Sequence, residues 1–348
     1  MRCLHVALLF ACACAYVSAA DAAPEAAPST PSYQPSGYYP GVNLAVAEFG
    51  KGDELNKNYV FPTQREFAYF GGKGLRVVRI PFLWERLQPE VRGELRAADL
   101  AELDRCAAQA NQLGVAVLLD VHSYGGRNVA GKHCFVGIDA ELTGDDFNDL
   151  WVRLAKHFQD RPLVWFGLMN EPHKHTAQLN AQLMQSALNA IRATGAKNFV
   201  TVPGTSWTGA HSWLSSGNAA AYENFSDPGS NFAFEVHQYL DKDNSGSHAE
   251  ATSGAGAKRI AAFAAWAKTR HVRGLLGETG WSKDDASQAE GEAELAAMDQ
   301  DRDVWLGFTY WAAGPWWGSY MYSLEPEFPK IGDPVDKPQM AVVAKHLR

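Results

Sequence analysis

Positive charge, cysteine and long apolar runs are all scarce in this chain of 348 residues. Lys and Arg number 31 against 39 Asp and Glu, a formal net charge of −8. Nucleic-acid binding relies on Lys and Arg to neutralise phosphates, so this balance argues against it. The first segment, Met1 to Ala20, has Arg2, an apolar stretch from Leu4 to Val17, and then Ser18-Ala19-Ala20. That stretch is shorter than the about 20 residues a membrane span needs. A basic start, a short apolar core and small residues at the end read instead as a secretory signal peptide. Leu9-Phe10-Ala11-Cys12 loosely resembles a lipid-attachment pattern, which makes a lipoprotein the second reading. Of the five cysteines, Cys3, Cys12 and Cys14 lie in this segment, leaving Cys106 and Cys134. Those two could form a disulfide in an exported protein or stand as two buried thiols.

Other absences narrow the chemistry. No Gly-x-Gly-x-x-Gly follows the first strand, so a doubly wound nucleotide-binding sheet is disfavoured. No nucleotide loop, serine nucleophile elbow or His-Glu-x-x-His occurs at a credible position. His173-Lys174-His175 spaces its imidazoles poorly for a metal on a helix, so no metal and no cofactor are expected.

What is present is ordinary for a folded protein: 46% apolar and 20% charged residues, which excludes disorder over most of the chain. Residues 21–40, rich in Ala, Pro and Ser, read as an extended leader. From residue 41 to 348 apolar, β-branched runs alternate with helical stretches. The predicted strands are Gly41–Val46, Leu75–Ile80, Val115–Val121, Val164–Met169, Phe199–Val202, Phe232–Val236, Gly274–Leu276 and Trp305–Tyr310. The predicted helices include Ala97–Leu113, Asp145–Phe158, Ala177–Thr194, Gly256–Thr269 and Gly291–Asp299. Eight near-continuous apolar strands alternating with helices predict an α/β fold, a single (β/α)8 TIM barrel.

Active sites of such barrels sit at the C-terminal strand ends. The polar residues there are Arg79, His122, Asn170 with Glu171, Trp207, His237 with Tyr239, Glu278 and Trp311. Glu171 ends the fourth strand in Asn170-Glu171-Pro172, and Glu278 ends the seventh in Gly277-Glu278-Thr279-Gly280-Trp281. Those strands face each other across the barrel mouth. Two carboxylates over a cleft are what glycosidic bond cleavage requires, one as proton donor and one as nucleophile or base. Eleven Trp suit a groove that stacks on sugar rings. Trp207 is the best placed of these beyond the bond, while Trp213, Trp281, Trp316 and Trp317 either extend the groove or pack.

Several segments carry a family resemblance: Gly41-Val42-Asn43-Leu44-Ala45, Arg79-Ile80-Pro81, Asp120-Val121-His122, Phe166 through Pro172, and Val236 through Asp241. With Asp241-Lys242-Asp243-Asn244-Ser245-Gly246-Ser247-His248, they resemble glycoside hydrolase family 5, its endo-β-1,4-glucanase branch, from about Val42 to Pro326. The resemblance implies a retaining mechanism with Glu171 as acid/base and Glu278 as nucleophile. It also implies that Arg79 and Tyr239 contact Glu278 and that Asn170 meets the sugar 2-hydroxyl. His122 and His237 would line the subsite before the bond and support the acid/base, and Trp311 would be its floor. Arg79 should keep Glu278 ionised and leave the proton on Glu171. The expected protein is a secreted monomeric enzyme acting on β-glucan. Mannan, xyloglucan, mixed-linkage glucan and a non-catalytic carbohydrate-binding barrel are the alternatives.

Overall fold

The computed structural model describes residues 32–348. The signal-peptide and lipoprotein readings, the first three cysteines and most of the leader lie outside those residues.

Among the described residues, ten strands form: β1 (Tyr39–Leu44), β2 (Val77–Phe82), β3 (Ala116–Val121), β4 (Gly126–Val129), β5 (Lys132–Phe135), β6 (Val164–Gly167), β7 (Val200–Pro203), β8 (Phe232–His237), β9 (Gly274–Thr279) and β10 (Trp305–Ala313). Eight close into a parallel barrel in the order β1-β10-β9-β8-β7-β6-β3-β2, as expected for a (β/α)8 fold. Long helices return the chain between strands: α1 (Gln64–Gly72), then, past the short α2 (Trp84–Leu87), α3 (Ala97–Gln112), α4 (Gly144–Phe158) and α5 (Ala177–Ala193). After the short α6 (Asn218–Ala221) come α7 (Ala255–Arg270) and α8 (Asp285–Gln300), and α9 (Met340–Val343) lies near the C-terminus. No helix among the described residues is long and apolar enough to cross a membrane.

The strand pleat divides the apolar residues between two places. On β3, Val117, Leu119 and Val121 join the large core under the helices, whereas Ala116 and Leu118 join a separate cluster with Tyr39, Val77, Trp165, Phe199, Ala233, Leu275 and Leu306. That second cluster gathers one or two residues from every barrel strand or its edge. Apolar burial on both faces explains why the strands read as continuous runs.

Several boundaries differ from expectation. β1 takes in Tyr39 and Pro40, read from sequence as the end of the leader. β9 and β10 run past their predicted ends, so Glu278 and Trp311 lie inside strands. α8 begins at Asp285, six residues before the predicted start, because Asp284 caps it by accepting from Ser287 N. α1 was not foreseen, although Thr63 and Glu66 form a reciprocal capping box at its start. Cys106 and Cys134 are both buried free thiols, so the disulfide alternative is not realised.

Candidate active site

Arg79 stands at the centre of the barrel mouth. It projects from β2 and is fully buried. Its Nη1 donates to Asn43 Oδ1 at 2.9 Å and Glu278 Oε1 at 3.0 Å, and its Nη2 to Asn170 Oδ1 at 2.8 Å. Asp120 and Glu235 each bring an oxygen to 3.0 Å of the same guanidinium. Burial opposes the Arg79 charge, but Asp120, Glu235 and Glu278 outweigh it and hold the group firmly protonated. One guanidinium thus organises three carboxylates from three strands, a task its planar fork performs and an ammonium would not.

Glu278 of β9 lies 4% exposed in this net. Tyr239 donates its phenol to Oε2 at 2.6 Å, while Arg79 occupies Oε1. Burial raises the Glu278 carboxyl above its ordinary range; His237 and Arg79 pull the other way, and Glu171 adds to the rise. Arg79 therefore favours the ionised form, as expected, but is one influence among several. Hydrogen-bond geometry settles which form the pocket suits: Arg79 can only donate, and the buried Tyr239 keeps its proton to give. Both partners fit a carboxylate.

Glu171 follows β6 in a left-handed backbone conformation, φ 42°. Its Oε1 lies 2.8 Å from His237 Nδ1. Carboxylate oxygens of Glu171 and Glu278 approach within 4.8 Å of each other, with a His237 nitrogen inside the same radius. His237 ends β8 and has Glu235 Oε1 at 3.3 Å from Nε2 and Glu278 Oε2 at 3.6 Å from Nδ1. Burial disfavours its charge, yet Glu278, Glu171 and Glu235 together push the imidazole up to about 10. His122 is the opposite case: burial lowers it to about 3 and keeps it neutral. Its Nδ1 faces Asp120 at 2.8 Å, and its Nε2 receives Tyr124 and Asn170, each at 3.2 Å. Trp311 stacks on the His122 ring at 5.4 Å and 18°.

On the far side of Glu171 opens a cleft of about 520 Å³ lined by Trp207, His211, His237, Tyr239, Asp243, Asn244 and Ser245, among others. Trp207 is 55% exposed and stacks on His173 at 5.0 Å and 9°. Ser206, Trp207 and Thr208 are all left-handed, with φ of 56°, 54° and 48°. Such backbone costs roughly 1–2 kcal/mol per residue and persists only where surroundings offset that cost. Here Thr208 Oγ1 takes the Gly204 amide at 2.8 Å, and Trp207 N donates to Pro172 O at 3.1 Å.

All nine residues singled out from sequence surround this mouth. Trp213 and Trp281 do not: at 0% and 1% exposure they pack in the core. Trp317 packs edge-on against Trp311 and Phe49, and Trp316 is half exposed. His173 and His175 lie in a loop rather than on a helix. Asp241, Asp243 and His248 also come within 4.8 Å of one another. Asp241 is already taken up by the amides of Gly246, Ser247 and His248, which makes it the anchor of its loop. Sequence reasoning missed Asn43, Thr201 and Glu235 as members of the net, and Asp120 as a partner of Arg79. Their signal was a polar residue two positions before or after an inward apolar one.

A family model described as cellulase (glycosyl hydrolase family 5) matches residues 42–314. An endo-β-1,4-glucanase B of Aspergillus niger is 34% identical over 290 residues, covering 82% of this chain and 84% of its own. A structure of XacCel5A in complex with cellopentaose is 41% identical, with TM-score 0.84, over 89% of this chain and 99% of that one. Cel5A (EG2) of Hypocrea jecorina is 28% identical, with TM-score 0.79, over 88% and 98%. The fold, the residues at the barrel mouth and these likenesses agree: the chain belongs to glycosyl hydrolase family 5.

Proposed function

We propose that this protein is a secreted, monomeric endo-β-1,4-glucanase that cuts internal bonds of cellulose and related glucans with retention. The observation that carries the reading is the approach of Glu171 and Glu278 oxygens to within 4.8 Å across the mouth. Retaining enzymes place their carboxyl groups ~5–5.5 Å apart, inverting ones ~6.5–9.5 Å.

The sugar before the bond rests on Trp311 beside His122, and the departing chain lies towards Trp207. Glu278 attacks the anomeric carbon while Glu171 gives its proton to the leaving oxygen. Asn170, held by Arg79, meets the 2-hydroxyl, a contact that strengthens in the transition state. Once Glu278 is esterified its charge is gone, Tyr239 loses its anionic partner while Arg79 keeps Asp120 and Glu235, and Glu171 is left as a carboxylate. Glu171 then takes a proton from water, which attacks the same carbon and releases Glu278. Export follows from the signal-peptide reading of Met1 to Ala20.

The mature chain on carboxymethylcellulose, followed by viscosity and new reducing ends together, tests this. A steep viscosity fall with few new ends is the expected result. Many new ends with little viscosity loss would mean attack from chain ends, and activity confined to mannan, xyloglucan or mixed-linkage glucan would replace the substrate.

A further inference from the structure

The two-carboxylate mechanism leaves Glu235 without a part, although it is buried in the middle of the site at 2% exposure. We infer that Glu235 is a positioning residue for the acid/base: it holds His237 doubly protonated, so that His237 fixes one oxygen of Glu171 and leaves the other to carry the catalytic proton. This rests on the reading of Glu171 as acid/base.

The hydrogen-bond pattern around the ring leads there. His237 Nδ1 lies 2.8 Å from Glu171 Oε1, and Nε2 lies 3.3 Å from Glu235 Oε1. Ionised Glu235 only accepts, so Nε2 donates to it. Nδ1 faces an oxygen of Glu171 and, at 3.6 Å, the Glu278 carboxylate, and when it donates there as well the ring is the imidazolium. The charged groups facing His237 are Glu171 after β6, Glu235 on β8 itself and Glu278 on β9, with Arg79 of β2 and Asp120 of β3 behind them.

Glu235 is itself fixed from three directions. Thr201 of β7 donates its hydroxyl to Oε2, and Arg79 Nε lies 3.0 Å from Oε1. The third is an absence: Gly277, next to the nucleophile, has no side chain, and a Cβ there would stand 2.4 Å from Glu235 Oε1. Burial raises the Glu235 carboxyl, but Arg79 and His237 overcome it and keep Glu235 ionised.

Removing the Glu235 charge changes which proton sits where. Glu278 and Glu171 still favour the imidazolium, but with one of its three carboxylates gone burial weighs more heavily towards neutral His237. In Glu235→Gln the side-chain amide oxygen still accepts from Nε2–H, so Nδ1 turns a lone pair towards Glu171. That lone pair competes with the leaving oxygen for the Glu171 proton.

The test is Glu235→Gln assayed by kcat/KM on two substrates: cellopentaose, whose leaving sugar needs a proton, and 2,4-dinitrophenyl β-cellobioside, whose phenolate leaves without one. The expected fall is ~10²-fold on cellopentaose and under about 10-fold on the aryl glycoside. The alkaline fall in the cellopentaose profile moves to lower pH, and 15N spectra show His237 with two N–H groups in the wild type and one in the variant. Glu235→Asp, which keeps the charge, restores most of the cellopentaose rate. Thr201→Val, which removes only the hydroxyl donor, shows the same selectivity on a smaller scale and serves if Glu235→Gln does not fold. Equal losses on both substrates with an unmoved pH profile would overturn the inference and assign Glu235 a purely structural place under Arg79. Glu171→Gln separates the two readings. If it shows no preference for the activated leaving group, the acid/base assignment fails; if it does and the Glu235 and Thr201 variants do not, this inference alone fails.

Discussion

Inside the barrel, all eight strands carry an apolar or aromatic residue in the lower cluster, within the strand or just before it: Leu306 on β10 and, on the other seven, Tyr39, Val77, Leu118, Trp165, Phe199, Ala233 and Leu275. Two residues further along those seven strands come Gly41, Arg79, Asp120, Gly167, Thr201, Glu235 and Gly277. A single pleat therefore separates a dry layer from a charged one. The lower layer buries large side chains against each other, with Trp165 edge-on to Tyr39 at 4.8 Å. The upper layer gives up that gain: it places Arg79, Asp120 and Glu235 where desolvation of each ion costs several kcal/mol. It is tolerated because Arg79 touches both carboxylates, and Gly277 leaves room for Glu235. Stability and chemistry are thus layered along the strands, with the charged layer serving as the foundation on which His237 and Glu278 stand.

Breaking the two layers separately should give opposite phenotypes. The largest expected effect is on turnover: Glu278→Gln keeps the shape of the side chain and lowers kcat by ~10²–10⁴-fold, with the melting temperature close to wild type. Calorimetry beside the rate assay checks both halves. Trp165→Ala mirrors it. A Trp at 1% exposure is removed from the dry layer, at a cost of ~3–5 kcal/mol in stability, while kcat of the folded fraction stays near wild type. A large fall in kcat there would mean the layers are mechanically coupled.

The smallest effect sharpens the comparison through pH. His237 is raised from an ordinary 6.5 to about 10 in the folded protein. A group raised on folding stabilises fully below its unfolded value and loses that contribution as pH climbs to the folded one. Stability should therefore decline from about pH 6.5 towards 10, and His237→Asn should flatten that part of the denaturation profile. An unchanged slope would remove the imidazolium from the account.

Much of this was legible in the chain. The eight barrel strands stood out because burial on both faces makes them unbroken apolar runs. Glu171 and Glu278 stood out because each comes two residues after the end of such a predicted run. Glu235 and Asp120 did not, since a search at strand ends passes over a charge inside the run. In Ala233-Phe234-Glu235-Val236-His237 the inward alternation was nonetheless written plainly. The hairpin of β4 and β5 turns on Ala130 and Gly131, both with positive φ. Alanine is an unusual residue in such a turn, so the usual Asn-Gly signal was missing. The left-handed run at Ser206–Thr208 uses residues that carry no local preference for it, and is imposed by Glu235 O, Pro172 O and their neighbours.

The central claim is that Glu171 and Glu278 stand close enough for a covalent glycosyl-enzyme. Proton NMR of cellopentaose hydrolysis, recorded before the products mutarotate, tests it most directly. The account predicts that the new reducing end appears first as the β-anomer. An α-anomer appearing first would mean direct attack by water, and would contradict it.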